Sequence, residues 1–322
     1  MRAAVALLLL VSGLAPATLS PQTARFRVDA SFVKVPVAVC DSHGRTILGL
    51  TRQDFRVFDE GQERPIDNFV LDKTPLHVLL LLDVSGSVRE ELEQIKDAAV
   101  SFASAFDRED RIAAMSFADD LELVQDWTND PRKIRKSLKK LEPGYRTALF
   151  DALLGARQRF RGIPGRKVII ALTDGVDNES QSGYEAVLKD LVQSDVSLYF
   201  VSRTRLVLPQ IQREERVRFM NQVMKNLLKD DEDFVQVYFR EKETAMEHLS
   251  ESSGGRVLYP AKLEDLKGNY AEILNELKSL YLLTFQPPLQ SDKRFRSIRV
   301  SCSDPVAIVR YRQQYAWFAP AR

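Results

Sequence analysis

The chain has 322 residues, with 46 Lys and Arg set against 45 Asp and Glu for a formal net charge of +1. That length accommodates a full α/β domain plus a smaller companion, and 44% hydrophobic with 28% charged residues predicts a packed core. The charge balance argues against a nucleic-acid binder, which carries a basic excess or stripe. The one basic run, residues 132–140, repeats Ile134, Leu138 and Leu141 at helical spacing and reads as a solvated helix face.

At the N-terminus Arg2 precedes an apolar run over residues 3–11 and then Ala15-Pro16-Ala17. This is the three-part pattern of a secretory signal peptide over residues 1–17, cleaved after Ala17 and too short to be a spanning helix. The longest later apolar run, residues 78–82, ends at Asp83 and cannot cross a bilayer. The expectation is a secreted or periplasmic protein with no membrane span after cleavage.

Residues 24–75 read as an N-terminal β-segment. Residues 32–39 alternate, Asp41-Ser42-His43-Gly44 supplies a turn, and residues 55–58 alternate again before Asp59-Glu60-Gly61. Pro36 predicts an edge position for the first strand. From residue 76 the pattern changes to strands at 76–82, 112–117, 121–127, 168–172 and 196–201. Helical stripes at 90–106, 147–160, 184–192, 243–250 and 263–280 lie between and after them. Alternation of this kind predicts a doubly wound, mainly parallel α/β sheet over residues 76–280, with Val78, Leu80, Leu82, Ile169, Ala171 and Phe200 in its core. Residues 217–228 read as a helix, residues 206–209 and 229–233 as loop, and Gly254-Gly255 as a helix stop.

Strand-like runs return at residues 281–285, 298–302 and 307–311. The C-terminal segment 281–318 is expected to pack with the N-terminal one as a smaller β-domain, because a lone β-segment of roughly fifty residues buries too little surface. The two cysteines, Cys40 and Cys302, lie in these segments. An oxidising compartment permits a bridge. Alternation, however, puts Cys40 opposite the Val33, Val35, Val37 and Val39 face, while Cys302 shares the apolar face of Ile298 and Val300. Two free thiols are the expectation and a Cys40–Cys302 disulfide the alternative.

The strand at 76–82 runs directly into Asp83-Val84-Ser85-Gly86-Ser87, and that at 168–172 into Thr173-Asp174-Gly175. Between them Gly144-Tyr145-Arg146-Thr147 opens a helix. In an open α/β sheet, ligands gather beyond the carboxyl ends of strands where the strand order switches. Three loops thus bring Asp83, Asp174, Ser85, Ser87 and Thr147 to one sheet edge. Oxygen ligands of this kind favour a hard divalent cation, Mg²⁺ first and Ca²⁺ or Mn²⁺ after it. Neutral hydroxyls leave the ion's charge partly uncompensated, so an open position attracts a carboxylate from another molecule. Each piece alone has a plainer reading: Ser87 as a helix N-cap, Asp174-Gly175 as a turn.

These residues resemble the metal-ion-dependent adhesion site of von Willebrand factor type A domains, over roughly residues 76–260. The flanks, through residues 50–61 (Leu-Thr-Arg-Gln-Asp-Phe-Arg-Val-Phe-Asp-Glu-Gly) and Tyr281-Leu282-Leu283-Thr284-Phe285, are similar to an exported bacterial family of this type best known from Acidobacteria. The resemblance implies that Ser85, Ser87 and Thr147 ligate the ion directly and that Asp83 and Asp174 act through waters. It also implies a protein partner that presents an exposed Asp or Glu. The family often has Gly before the ligand threonine. Here Arg146 stands there, free to attract an acidic ligand, to repel the cation or to point into solvent.

The chain is not expected to be an enzyme. Its three histidines, His43, His77 and His248, show no metalloprotease spacing, no G-x-S-x-G surrounds a serine, and no P-loop occurs. A structural scaffold with an empty site, or a hydrolase, is the alternative to a metal-dependent binding module.

Overall fold

The computed structural model describes residues 32–211, 234–288 and 295–316. Its central sheet has the order β10-β9-β8-β5-β6-β7. Strand β5 (Leu76–Asp83) lies between β6 (Arg111–Phe117) and β8 (Arg166–Thr173), parallel to both, and β9 (Val196–Ser202) continues on the β8 side, followed by β10 (Val257–Leu258). Only β7 (Leu121–Thr128) is antiparallel, closing one edge with a register shift along β6.

Strand β5 is an unbroken apolar run because both faces of the sheet are covered. Val78, Leu80 and Leu82 face α1 (Leu92–Ala103), α2 (Pro131–Leu138) and α7 (Asp265–Lys278). Leu79 and Leu81 face α3 (Leu149–Gln158), α4 (Tyr184–Gln193) and α6 (Phe234–Ser253). All six residues expected in the core are fully buried. In α2, Ile134 and Leu138 point inward under an Asp130 cap and leave the basic residues on the outer face, as their spacing predicts.

The flanks interleave. One antiparallel sheet has the order β13-β1-β11-β4 and the other β14-β12-β2-β3. Strands β1 (Val33–Cys40), β2 (Phe55–Asp59), β3 (Gln62–Arg64) and β4 (Asn68–Leu71) come from the N-terminal side. Strands β11 (Tyr281–Phe285), β12 (Phe295–Cys302), β13 (Ile308–Tyr311) and β14 (Gln314–Ala316) come from the C-terminal side. Val35, Val37 and Val39 share a core with Phe55, Val57, Leu283, Phe285 and Val300, so the smaller β-structure joins the two ends of the chain. Beneath it Arg296 is hydrogen-bonded to the fully buried Asp59 at 2.9 and 2.8 Å, and Tyr315 donates to the same carboxylate at 3.1 Å.

Three expectations and one alternative need correction. Strand β1 is interior rather than an edge. Pro36 pairs with Leu282 on the β11 side, while pairing with β13 begins only at Val37, so the ring falls just beyond the ladder that its missing N–H would interrupt. Cys40 and Cys302 are free thiols in different sheets, so the alternative disulfide is not formed. Residues 206–209 are helical, within α5 (Thr204–Ile211), because burial of Leu206 and Val207 outweighs the one backbone bond that Pro209 forfeits. Helix α6 already covers Phe234–Ser253, well before residue 243, with Val235 and Phe239 buried against Val207. The expected signal peptide, the helix at 217–228 and the loop at 229–233 lie outside the described residues.

Helix α6 stops at Gly254-Gly255 as expected. Gly254 adopts φ +84°, its N–H reaches the Glu251 carbonyl at 3.1 Å, and the Gly255 N–H reaches that of Ser250 at 2.8 Å, a Schellman closure. Two glycines test this packing in opposite directions. A Cβ at Gly255 would lie 1.9 Å from the Leu198 carbonyl oxygen, so Gly255→Ala is expected to lower stability by about 3 kcal/mol. Gly268 sits within α7 with nothing in a Cβ's way, and Gly268→Ala is expected to raise stability by roughly 0.5–1 kcal/mol. Urea denaturation of the two variants reads both signs.

Candidate metal site

The strand order reverses at β5: the chain leaves it towards β6 on one side and later returns through β8 on the other. The carboxyl ends of β5 and β8 therefore open a crevice at the switch point, and Asp83 and Asp174 stand there. Backbone bonds draw in the third loop: Val84 N–H donates to the Phe117 carbonyl at 3.0 Å and Gly144 N–H to the Val84 carbonyl at 2.7 Å. Gly144 is required, since a Cβ there would come within 2.5 Å of the Ala118 Cβ.

Asp83, Ser85, Thr147 and Asp174 are all buried at this edge. Asp83 Oδ1 accepts from the Ser85 N–H at 2.9 Å, and its Oδ2 accepts from the Thr173 hydroxyl at 2.8 Å. Asp174 Oδ1 accepts from the Val176 N–H at 3.1 Å. Ser87 lies in the tight turn Gly86–Val88; its side chain is outside what the structure describes. Burial and then the charge of Asp174 push Asp83 up to about 6, while hydrogen bonds from Ser85 and the more distant Arg203 pull the other way. Two carboxylates held close together in a buried edge repel one another, and a divalent cation between them relieves that repulsion. Among the described residues no three His, Cys, Asp or Glu side chains gather in metal-holding range. The oxygen donors buried at this edge, carboxylate and hydroxyl, are of the kind a hard cation takes.

Arg146 is turned towards the surface. It is 62% exposed, pairs with Glu179 at 3.2 Å and lies 4.0 Å from Asp119. Of the three roles open to it, the geometry supports the solvent-facing one.

Several residues that shape the site escaped the sequence reading. Asn178 accepts from the Thr147 N–H at 3.1 Å through its side chain, and its own N–H returns to the Thr147 carbonyl at 3.0 Å. Asp177 accepts from the Phe150 N–H at 2.9 Å, capping α3 from another loop. Thr173 lay inside the Thr-Asp-Gly motif without a role of its own. Arg203, fully buried, reaches Glu91 Oε2 with Nε at 3.0 Å and Nη2 at 2.6 Å, and its N–H donates to the Thr173 carbonyl at 2.8 Å. This pair ties the end of β9 to the segment that follows the Asp83 loop. Arg203→Met strands a buried carboxylate and is expected to cost about 3–5 kcal/mol, most of it recovered in the Glu91→Leu/Arg203→Met double variant. Chemical denaturation of the three proteins checks this.

Residues 78–176, which hold all five expected ligands, match the family model described as von Willebrand factor type A domain. No curated protein matches the chain. Among solved structures, BatB from Bacteroides thetaiotaomicron is 17% identical with a TM-score of 0.42, over 63% of this chain and all of that one (100%). A von Willebrand factor type A protein from Catenulispora acidiphila is 9% identical with a TM-score of 0.48, over 91% of this chain and 75% of that one. Proximal thread matrix protein 1 of the mussel byssus, solved with a zinc-occupied MIDAS motif, is 16% identical with a TM-score of 0.45, over 68% of this chain and 49% of that one. By the matched segment and by its own sheet and loops, this chain carries a von Willebrand factor type A domain.

Proposed function

We propose that the chain is an exported, metal-dependent protein-binding module of the bacterial von Willebrand factor type A kind, secreted or periplasmic, and not an enzyme. The observation that carries the reading is the buried Asp83–Asp174 pair at the switch point, with Ser85 bonded to Asp83 and Thr147 buried in a loop tied to the segment after Asp174. Ser85, Ser87 and Thr147 would hold the ion through neutral oxygens, with Asp83 and Asp174 supplying negative charge from the next layer. A bound Mg²⁺ supplies an electrophilic coordination position for an Asp or Glu of a protein partner. The chain's own part is to keep these oxygens fixed beforehand, which its loop-to-loop bonds do.

The placement of the histidines favours binding over hydrolysis. His77 lies near the start of β5, at the opposite end from Asp83, edge-on to Trp127. His43 is in the flank turn, and His248 on α6 contacts the Tyr184 hydroxyl. No imidazole stands beside Ser85 to act as its base. No helix among the described residues is long and apolar enough to cross a membrane.

Calorimetry with Mg²⁺, Mn²⁺ and Ca²⁺ tests the reading. Asp83→Ala and Asp174→Ala are expected to lose cation binding, and Thr147→Ala to weaken it. Wild type is expected to gain about 2.7 kcal/mol of stability at a cation concentration near one hundred times Kd. Unchanged affinity in both aspartate variants overturns the metal site.

A further inference from the structure

The metal edge is flanked on two sides by a tyrosine with a cation next to it, and the two sides are built differently. On the Thr147 side, the Gly144 and Tyr145 backbones are pinned, Gly144 to the Val84 carbonyl at 2.7 Å and Tyr145 to Asp119 Oδ2 at 3.1 Å. From this fixed backbone the Tyr145 ring projects with 83% of its surface in solvent, the most exposed of the large hydrophobic side chains described. Its neighbour Arg146 is already engaged by Glu179.

On the Asp174 side, α6 lies directly across the turn that follows the carboxylate. A Cβ at Gly175 would lie 3.2 Å from the Lys242 Cβ and 2.9 Å from the Met246 Cε. Val176 packs with Val207, Val235 and Phe239, and Tyr238 packs on the same cluster. The Lys242 ammonium sits 4.7 Å from the centre of the Tyr238 ring, a cation–π contact that holds it near the Asp174 turn. The Thr204 hydroxyl bonds Glu243, the residue after Lys242, and so fastens this stretch of α6 to the start of α5.

We propose that Tyr145 and Lys242 are the partner-contacting residues of the metal edge. They would select a protein segment whose metal-seeking acidic side chain has an apolar neighbour to cover Tyr145 and a further acidic group to meet Lys242. This rests on the metal-dependent reading above and adds to it the chemistry of the partner. An aromatic ring on a rigid backbone loses little freedom on contact and commonly anchors interfaces. Lys242 is favoured over Arg146 as the cationic contact because Arg146 is held by carboxylates of its own chain.

The test pans a phage-displayed random heptapeptide library on the Mn²⁺-loaded full chain, elutes with chelator, and measures the selected peptides against variants. The expected result is peptides in which Asp or Glu adjoins an aliphatic or aromatic residue. Tyr145→Ala and Lys242→Met should each weaken such peptides about tenfold, with Mn²⁺ affinity within about twofold of wild type. Chelator-eluted peptides that bind both variants as tightly as wild type overturn this inference and leave the metal-dependent reading standing. A peptide loss matched by an equal loss of Mn²⁺ affinity also overturns it, since the residues would then act through the ion. If no peptide elutes with chelator, the metal-dependent reading fails and this inference fails with it.

Discussion

Asp83 is a fully buried carboxylate at the end of a strand whose other residues are almost all apolar, with Asp174 close by. Desolvating one carboxylate is costly, and placing a second beside it raises the cost. Such a pair persists only where the surroundings fix it and some positive charge answers it. Asp83 is held by hydrogen bonds from the Ser85 N–H and side chain and from the Thr173 hydroxyl, and the last links the ends of β5 and β8 directly. Arg203 is paired with Glu91, so its charge is only partly directed at Asp83. A cation at this edge, as proposed above, would supply the rest of the positive charge.

The arrangement is a closed circuit of loop-to-loop bonds. The Asp83 loop is tied to the end of β6 through Val84 and to the Thr147 loop through Gly144. The Thr147 loop is tied to the loop after Asp174 by the reciprocal pair with Asn178, and the start of α3 to the same loop by Asp177. The end of β9 closes the circuit through Arg203. No loop can shift without breaking a bond to another. That is the rigidity a preorganised ion site requires.

This also explains what was legible in the amino-acid sequence. Residues 76–82 and 168–172 announce buried parallel strands because two covered faces demand apolar side chains at every position. Asp83 and Asp174 are legible as candidate ligands because they follow those runs directly. Asn178, Asp177 and Arg203 act through bonds to backbone or side chains dozens of residues away, and such bonds leave no periodic trace. Pro209 misled because its local preference is strong, while the burial of Leu206 and Val207 that overrides it is tertiary. Pro36 misled for a related reason: its lost donor matters only where a neighbouring strand reaches it, and β13 stops one residue short.

The flanks bear on the site through where they attach. Strand β4 leads into β5 and α7 leads into β11, and β4 and β11 pair directly, with the Asp72 N–H donating to the Leu280 carbonyl at 2.8 Å. Arg166, at the start of β8, adds to this junction by donating from Nε to the Thr74 carbonyl at 3.0 Å and from a terminal nitrogen to the Leu277 carbonyl. Entry to and exit from the α/β domain are therefore fastened together at the amino-terminal edge of its sheet. Asp83 lies at the other end of β5, roughly 23 Å away at the rise of an extended strand. Asp174, Tyr145 and Lys242 stand near that end of the sheet, away from the junction that joins the flank strands to the domain.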